Sequence, residues 1–182
     1  MLNVLLQRKF VRKRVATLRE RLFRTAYAWC HNRALADDLV QETSLKALEN
    51  AGQLRDVRTA DAWVFAILAN CHRGYLRRAD AVIADSDDEA TEAEAGPEQV
   101  ADQGALVERV RAAVARLNEE HRKVLTLVDL EGFSYTEVAE ILEIPAGTVM
   151  SRLSRARRRL KMLLQSRMAE SQGQISYLKG KR

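Results

Sequence analysis

Six cations, Arg152, Arg155, Arg157, Arg158, Arg159 and Lys161, fall within ten residues, and no carboxylate occurs between Glu143 and Glu170. On a merely solvated helix such a run repels itself. Opposite phosphates it gains free energy through counterion release. The run has helical spacing, with Val149, Leu153, Ala156, Leu160 and Leu163 forming one apolar stripe. That stripe leaves Thr148, Met150, Ser151, Arg152, Ser154 and Arg155 at exposed early positions, and Arg157, Arg158, Arg159 and Lys161 continue the basic face. Just upstream, Ser134 and Glu137 have capping-box spacing ahead of Val138, Ala139, Ile141 and Leu142, and Ile144-Pro145 with Gly147 supplies a turn. A short helix, a tight turn and a long basic helix make a helix-turn-helix. The second helix of such a motif enters the DNA major groove with its N-terminal residues at base edges.

The other reactive side chains are sparse. Cys30-His31 and Cys71-His72 are two Cys-His steps, but neither spacing is a metal motif. Both cysteines fall at apolar positions, where a buried free thiol is the plainer reading. His31, His72 and His121 form no nucleophile or metal constellation, so no enzyme activity, metal or cofactor is expected. Two cysteines are no disulfide framework. No stretch approaches the ~18 apolar residues of a membrane span, and Met1–Leu6 is followed by its charges rather than preceded by them. A cytoplasmic location with reduced thiols is the expectation.

The elements that must position the basic helix follow from composition. The chain has 182 residues, 47% of them apolar and 30% charged, with only 2 Pro and 8 Gly. Scarce breakers argue against a β-sandwich or a disordered chain and for helices with short connections. The net charge of +5 hides a pattern. Residues 1–79 carry 15 bases and 7 acids, residues 80–104 carry 9 acids and no base, and residues 105–182 carry 15 bases and 9 acids. Two basic blocks joined by an acidic strap suggest two contacts with a polyanion. The strap has few large apolar residues and charge of one sign, so it is expected to be a flexible linker. The expected fold is all-α: a helical domain over residues 1–79, an acidic linker over 80–104 and a helix-turn-helix domain over 105–182. In the first block, Leu18, Leu22, Ala26 and Trp29 share a stripe, and a turn follows at His31-Asn32-Arg33. A helix then runs to about Asn50, and another from a Thr59 cap carries Val64, Ile67, Leu68, Cys71 and Tyr75. In the second block, Leu106, Val110, Val114 and Leu117 mark one helix, and Asn118 caps the next, which ends at Gly132.

Phe133-Ser-Tyr-Thr-Glu-Val-Ala-Glu-Ile-Leu142 followed by Pro145-Ala-Gly-Thr-Val-Met-Ser-Arg-Leu-Ser-Arg-Ala-Arg157 resembles region 4 of bacterial sigma factors. Ala36-Asp-Asp-Leu-Val-Gln-Glu-Thr43 resembles region 2.2, and Ala62-Trp63 through Asn70 to Leu76-Arg77-Arg78 resembles regions 2.3 and 2.4. Both sets stand in the right order across a linker and cover roughly residues 18–79 and 105–165. The length leaves no room for region 1.1 or a folded region 3. The chain thus resembles an extracytoplasmic-function (ECF) sigma factor.

The resemblance implies partners and residue roles. Asp38, Gln41 and Glu42, on one helix face, would dock on the β′ clamp helices of core RNA polymerase, where carboxylates suit partner arginines. Trp63, Asn70, Arg73, Tyr75, Arg77 and Arg78 would melt and read the −10 element of promoter DNA. They offer an aromatic surface, hydrogen-bonding groups and cations, although Trp63 also has core spacing. Met150, Ser151, Ser154 and Arg155 would read the −35 element, with Thr148, Arg152, Arg157 and Arg158 nearer the phosphates. Many relatives have Arg or Lys where this chain has Met150, and Asp or Asn where it has Gly74, which points to variant promoter elements and leaves Arg155 as the best base reader. Region 4 would also touch the β flap, the acidic linker would thread a polymerase channel, and an anti-sigma factor would compete for both domains. A decoy of an anti-sigma factor would not need the basic helix, and an ordinary helix-turn-helix repressor would leave the Asp38–Gln41–Glu42 face without a purpose.

Overall fold

The computed structural model describes residues 2–85 and 103–179, with side chains described for residues 5–81 and 107–165. Among the described residues every regular element is helical. The first helix, α1 (Leu2–Cys30), buries Val11, Val15, Leu18, Leu22, Ala26 and Trp29, so its apolar stripe starts two turns before Leu18. It ends because His31 adopts a left-handed backbone, φ 52°. Asn32 is extended and its side chain accepts the Leu35 N–H, which opens α2 (Arg33–Glu49). Two single 3-10 turns, Ala51–Gln53 and Val57–Thr59, lead to α3 (Ala60–Asp85). Asp56 rather than Thr59 caps this entry, accepting the Arg58 N–H at 2.8 Å. The three helices pack on one another.

The second half begins with α4 (Gln103–Ala115). Asn118 caps α5 (Glu119–Leu125) by accepting the His121 N–H at 2.9 Å. This helix continues as a π-helical turn over Thr126–Leu130, released at Gly132, whose φ is +78°. The expected capping box is present: Ser134 accepts from Glu137 N–H, and the Glu137 carboxylate accepts from Ser134 N–H at 2.8 Å. It starts α6 (Tyr135–Leu142), and α7 (Ala146–Lys179) follows after Pro145. The left-handed residue of the turn is Glu143, φ 57°, whereas Gly147 lies inside the first turn of α7.

The two halves are packed together. Helix α3 lies against α6, and α1 against α4, α5 and the π turn. The rings of Phe65 and Phe133 meet edge to face at 5.0 Å, so the described residues share one core. The α4 stripe is rotated from its expected setting: Ala113 is buried while Val110 is 37% exposed, although Leu117, just past the helix, is buried as expected and the Leu106 side chain lies outside the described residues. Tyr75, at the far end of the α3 stripe, is also 37% exposed. Residues 86–102, most of the expected acidic linker, lie outside the described residues.

Candidate nucleic-acid interface

The helix-turn-helix is set by buried apolar residues on both helices. Val138, Ile141 and Leu142 of α6 face Val149, Leu153 and Ala156 of α7, all buried. This packing turns Met150, Ser151, Ser154 and Arg155 outward at the start of α7, with Arg158 and Arg159 one turn on. Met150 is 56% exposed. Thr148 is half-buried. Two of the expected phosphate contacts are tied to the protein itself: Arg152 donates to Glu120 at 2.7 Å, and Arg157 makes a forked pair with Asp129 at 2.5 and 3.1 Å. These pairs brace α7 against α5 and the π turn. Among the described residues, they leave Arg155, Arg158, Arg159 and Lys161 as its exposed cations with no such brace. Opposite phosphates the array is attractive, and at base edges Arg155 has the donor fork that guanine accepts.

A second polar surface runs along α3. Trp63 is half-buried and Asn70 exposed. Together with Lys46, Asn50, Gln53 and Ile67 they line a hollow of about 190 Å³. Its walls are one aromatic face, three amides and an ammonium group, the functions that hold an unstacked base. The sequence reading found Trp63 and Asn70 but missed Lys46, Asn50 and Gln53, because they come from α2 and the following turn and converge only in the fold. Further along α3, Tyr75, Arg77 and Arg78 are exposed. Arg73 donates to the Glu143 carboxylate at 2.9 Å and to the Leu142 carbonyl at 3.3 Å.

On α2, Asp38 and Gln41 are exposed, while Glu42 is half-buried and accepts from Lys46 at 2.7 Å. Their common face points away from α1 and α3, because Ala36, Leu39, Val40, Thr43 and Ala47 take the inward positions.

Polar residues that the sequence reading passed over hold the halves together. Glu131, its side chain 1% exposed, accepts from Arg21 at 2.8 Å and from Thr25 at 2.9 Å. Arg21 also bonds the Glu131 carbonyl and Asp61, and Asp61 pairs with Arg14. Arg122 donates to the Trp29 carbonyl at 2.7 Å and to the Ala115 and Leu117 carbonyls. Lys123 lies over the Trp29 ring at 5.7 Å, and His72 packs on the same ring at 5.5 Å. Burial, reinforced by Lys123, pushes the His72 pKa down to about 4. A signal was available for one of these groups: Thr25 interrupts the otherwise apolar stripe Leu22, Ala26, Trp29 at a fully buried position.

The cysteines have separate surroundings. Cys71 is buried beside Thr43 and Lys46, and Cys30 is half-buried at the α1–α2 turn, donating to the Asn32 carbonyl. Burial raises both thiol pKa values. Among the described residues, no three His, Cys, Asp or Glu side chains gather as a metal would require.

Residues 15–82 match the family model for sigma-70 region 2, and residues 107–160 match that for sigma-70 region 4. The ECF RNA polymerase sigma factor EcfG of Rhodopseudomonas palustris is 39% identical over 139 residues, 76% of each chain. This chain belongs to the ECF RNA polymerase sigma factors. The ECF sigma factor SigL of Mycobacterium tuberculosis is 34% identical, covering 79% of this chain and 82% of its own. Among solved structures, the sigma factor RpoE in complex with the anti-sigma factor NepR, from Bartonella quintana, superposes with a TM-score of 0.74 at 28% identity, covering 84% of this chain and 95% of that one. CnrH in complex with the cytosolic domain of CnrY gives 0.60 at 25% identity. As an ECF sigma factor the chain binds core RNA polymerase and directs promoter-specific initiation at −10 and −35 elements. The region 2 match falls within α1–α3 and the region 4 match within α4–α7. Among the described residues, no helix is long and apolar enough to cross a membrane.

Proposed function

We propose that this sigma factor reads the −35 element with Met150, Ser151, Ser154 and Arg155, supported on phosphates by Thr148, Arg152, Arg157 and Arg158. The observation that carries this reading is the outward array at the start of α7, set by the buried stripe beneath it. Arg152 and Arg157 keep their internal carboxylate partners and reach phosphates from the rim. Met150 gives an apolar contact, suited to a thymine methyl, where a cation would select guanine. The −10 element is read on α3, with an unstacked base entering the hollow at Trp63 and Asn70, and Arg73, Tyr75, Arg77 and Arg78 following the displaced strand. Asp38, Gln41 and Glu42 dock on the β′ clamp helices, and region 4 meets the β flap. The domain limits are residues 1–79 and 105–182, with the acidic segment 80–104 passing through a basic polymerase channel. The chain is not itself an enzyme; catalysis belongs to the polymerase, in the cytoplasm.

An anti-sigma factor controls it. An open groove of about 990 Å³ runs between α1 of region 2 and α4 and α7 of region 4, with Phe23, Tyr27, Val110 and Leu130 as apolar walls and Arg24 and Arg111 among its cations. Because both regions contribute, one amphipathic, acidic helix seated there would engage both at once.

The test is transcription in vitro with purified chain, bacterial core polymerase and a pool of promoter-length genomic fragments. Discrete start sites sharing two upstream elements are the expected result. Absence of starts together with absence of core binding would overturn the reading and favour a decoy that sequesters an anti-sigma factor.

A further inference from the structure

We infer that Met150 is a modification site: oxidation of its thioether to the sulfoxide by hypochlorous acid, a two-electron oxidant, withdraws this sigma factor from its −35 elements. The inference rests on the −35 role just proposed for Met150 and adds a regulation of that surface.

The chain has four methionines, Met1, Met150, Met162 and Met168. Side chains are described for Met150 and Met162, and both stand on the outer face of α7, 56% and 48% exposed. Methionine ordinarily fills irregular gaps in apolar cores, where its thioether is hidden from solvent. Among the described residues the core holds no methionine; Leu, Val, Ile, Ala and aromatic side chains fill it, with Cys71. Met150 therefore presents its sulfur to solution on the reading face itself, beside Ser151 and one turn before Ser154.

The thiols compete poorly for an oxidant. Cys71 is buried, and Cys30 is half-buried and donates to the Asn32 carbonyl. Burial raises both thiol pKa values, which keeps the reactive thiolate scarce. A thioether has no proton to lose, so exposure rather than ionisation governs its oxidation.

In the reaction sulfur gains an S–O bond as the O–Cl bond of the oxidant breaks. Sulfur gives up two electrons, chlorine leaves as chloride, and one proton passes to water. The side chain becomes polar, and its new oxygen accepts hydrogen bonds. Against a thymine methyl that oxygen is desolvated with no donor to meet it. The base edges that would satisfy it carry amino donors, adenine N6 and cytosine N4. Oxidation thus removes the apolar contact and turns Met150 against the base it suits. Met162 lies about three turns further along α7, beyond the N-terminal positions that meet base edges, and supplies an exposed methionine outside the reading array.

The test uses full-length parent, Met150→Leu and Met162→Leu. Each is treated with a few equivalents of hypochlorous acid and quenched with dithiothreitol, which restores oxidised thiols and leaves the sulfoxides. Peptide mass spectrometry measures sulfoxide at each methionine. Untreated core polymerase is then added, and transcription is compared with that of the same chain before treatment. Parent and Met162→Leu are expected to lose about 5-fold, the low end of one base contact. Met150→Leu should keep its own untreated level, and co-elution with core should be unchanged. Methionine sulfoxide reductases A and B should return the oxidised parent to its starting level. An equal loss in Met150→Leu overturns the assignment. So does complete sulfoxide at Met150 with transcription intact, loss of core co-elution, or a Met150 that resists oxidation where Met162 is converted. The proposed −35 reading fails separately, in untreated protein: absent transcription by the parent sinks it, and the inference falls with it.

Discussion

The Arg122 guanidinium donates to the Trp29 carbonyl at 2.7 Å, across 93 residues of chain, and its other arm bonds the carbonyls of Ala115 and Leu117. One side chain thus satisfies the C-terminal carbonyls of α1 and of α4, helix ends that carry partial negative charge. A helix of region 2 and one of region 4 end on the same cation.

Arg122→Met should therefore destabilise the protein by about 2–3 kcal/mol, since it removes the donor but leaves three carbonyls in a partly buried site. Arg122→Lys should recover only part of the loss, because an ammonium lacks the fork that spans two helix ends. Urea unfolding followed by circular dichroism measures both. Equal stability of parent and Met variant would remove Arg122 from the account of the seam.

Two left-handed positions predict opposite signs. Gly132 has φ +78° and open space where a Cβ would go, so Gly132→Ala should cost about 1 kcal/mol through backbone strain alone. Glu143 holds φ 57° with an ordinary side chain. Its ion pair with Arg73 is exposed, 60% on the Glu143 side, and such pairs are worth little. Glu143→Gly should leave stability unchanged or raise it by up to about 1 kcal/mol. Thermal unfolding compares the two.

Acid should weaken the seam. His72 has a folded pKa of about 4 against an ordinary 6.5, set by burial and Lys123, with Glu119 opposing from 3.9 Å, too far for a hydrogen bond. His31 is displaced likewise, by burial and Arg122. Between those pH values the unfolded chain binds more protons than the folded one, so stability falls as pH falls from about 6.5 to about 4 and levels off below. The His72 contribution is about 3 kcal/mol at most. Equilibrium unfolding at pH 7, 5.5 and 4.5 tests this, and in His72→Phe the slope should shrink.

Arg155→Ala should lower transcription from promoters of this sigma factor about 10-fold, within the ~1–3 kcal/mol of one base contact. Co-elution with core polymerase should be unchanged, because Arg155 is on the opposite domain from the α2 face. Loss of core binding would contradict the assignment. Asp38→Ala with Gln41→Ala should show the reverse, weakened co-elution with the α7 surface intact.

What the sequence alone determined is local. The capping box at Ser134 and Glu137, the Asn118 cap and the stripe Val149–Leu153–Ala156–Leu160–Leu163 follow from spacing and side-chain chemistry, and each stands where expected. The motifs of regions 2 and 4 made the family legible for the same reason: contiguous helices carry their surfaces in sequence order. Only the tertiary structure decided how the halves meet. Glu131, Arg21 and Arg122 read as ordinary solvated charges and Arg73 as a −10 contact, and nothing periodic marks a pair 110 residues apart. Likewise Lys46, Asn50 and Gln53 join Trp63 and Asn70 only because the chain turns back after α2. Helical periodicity tells which face of a helix is buried; what lies against that face depends on long-range packing, which no local spacing encodes.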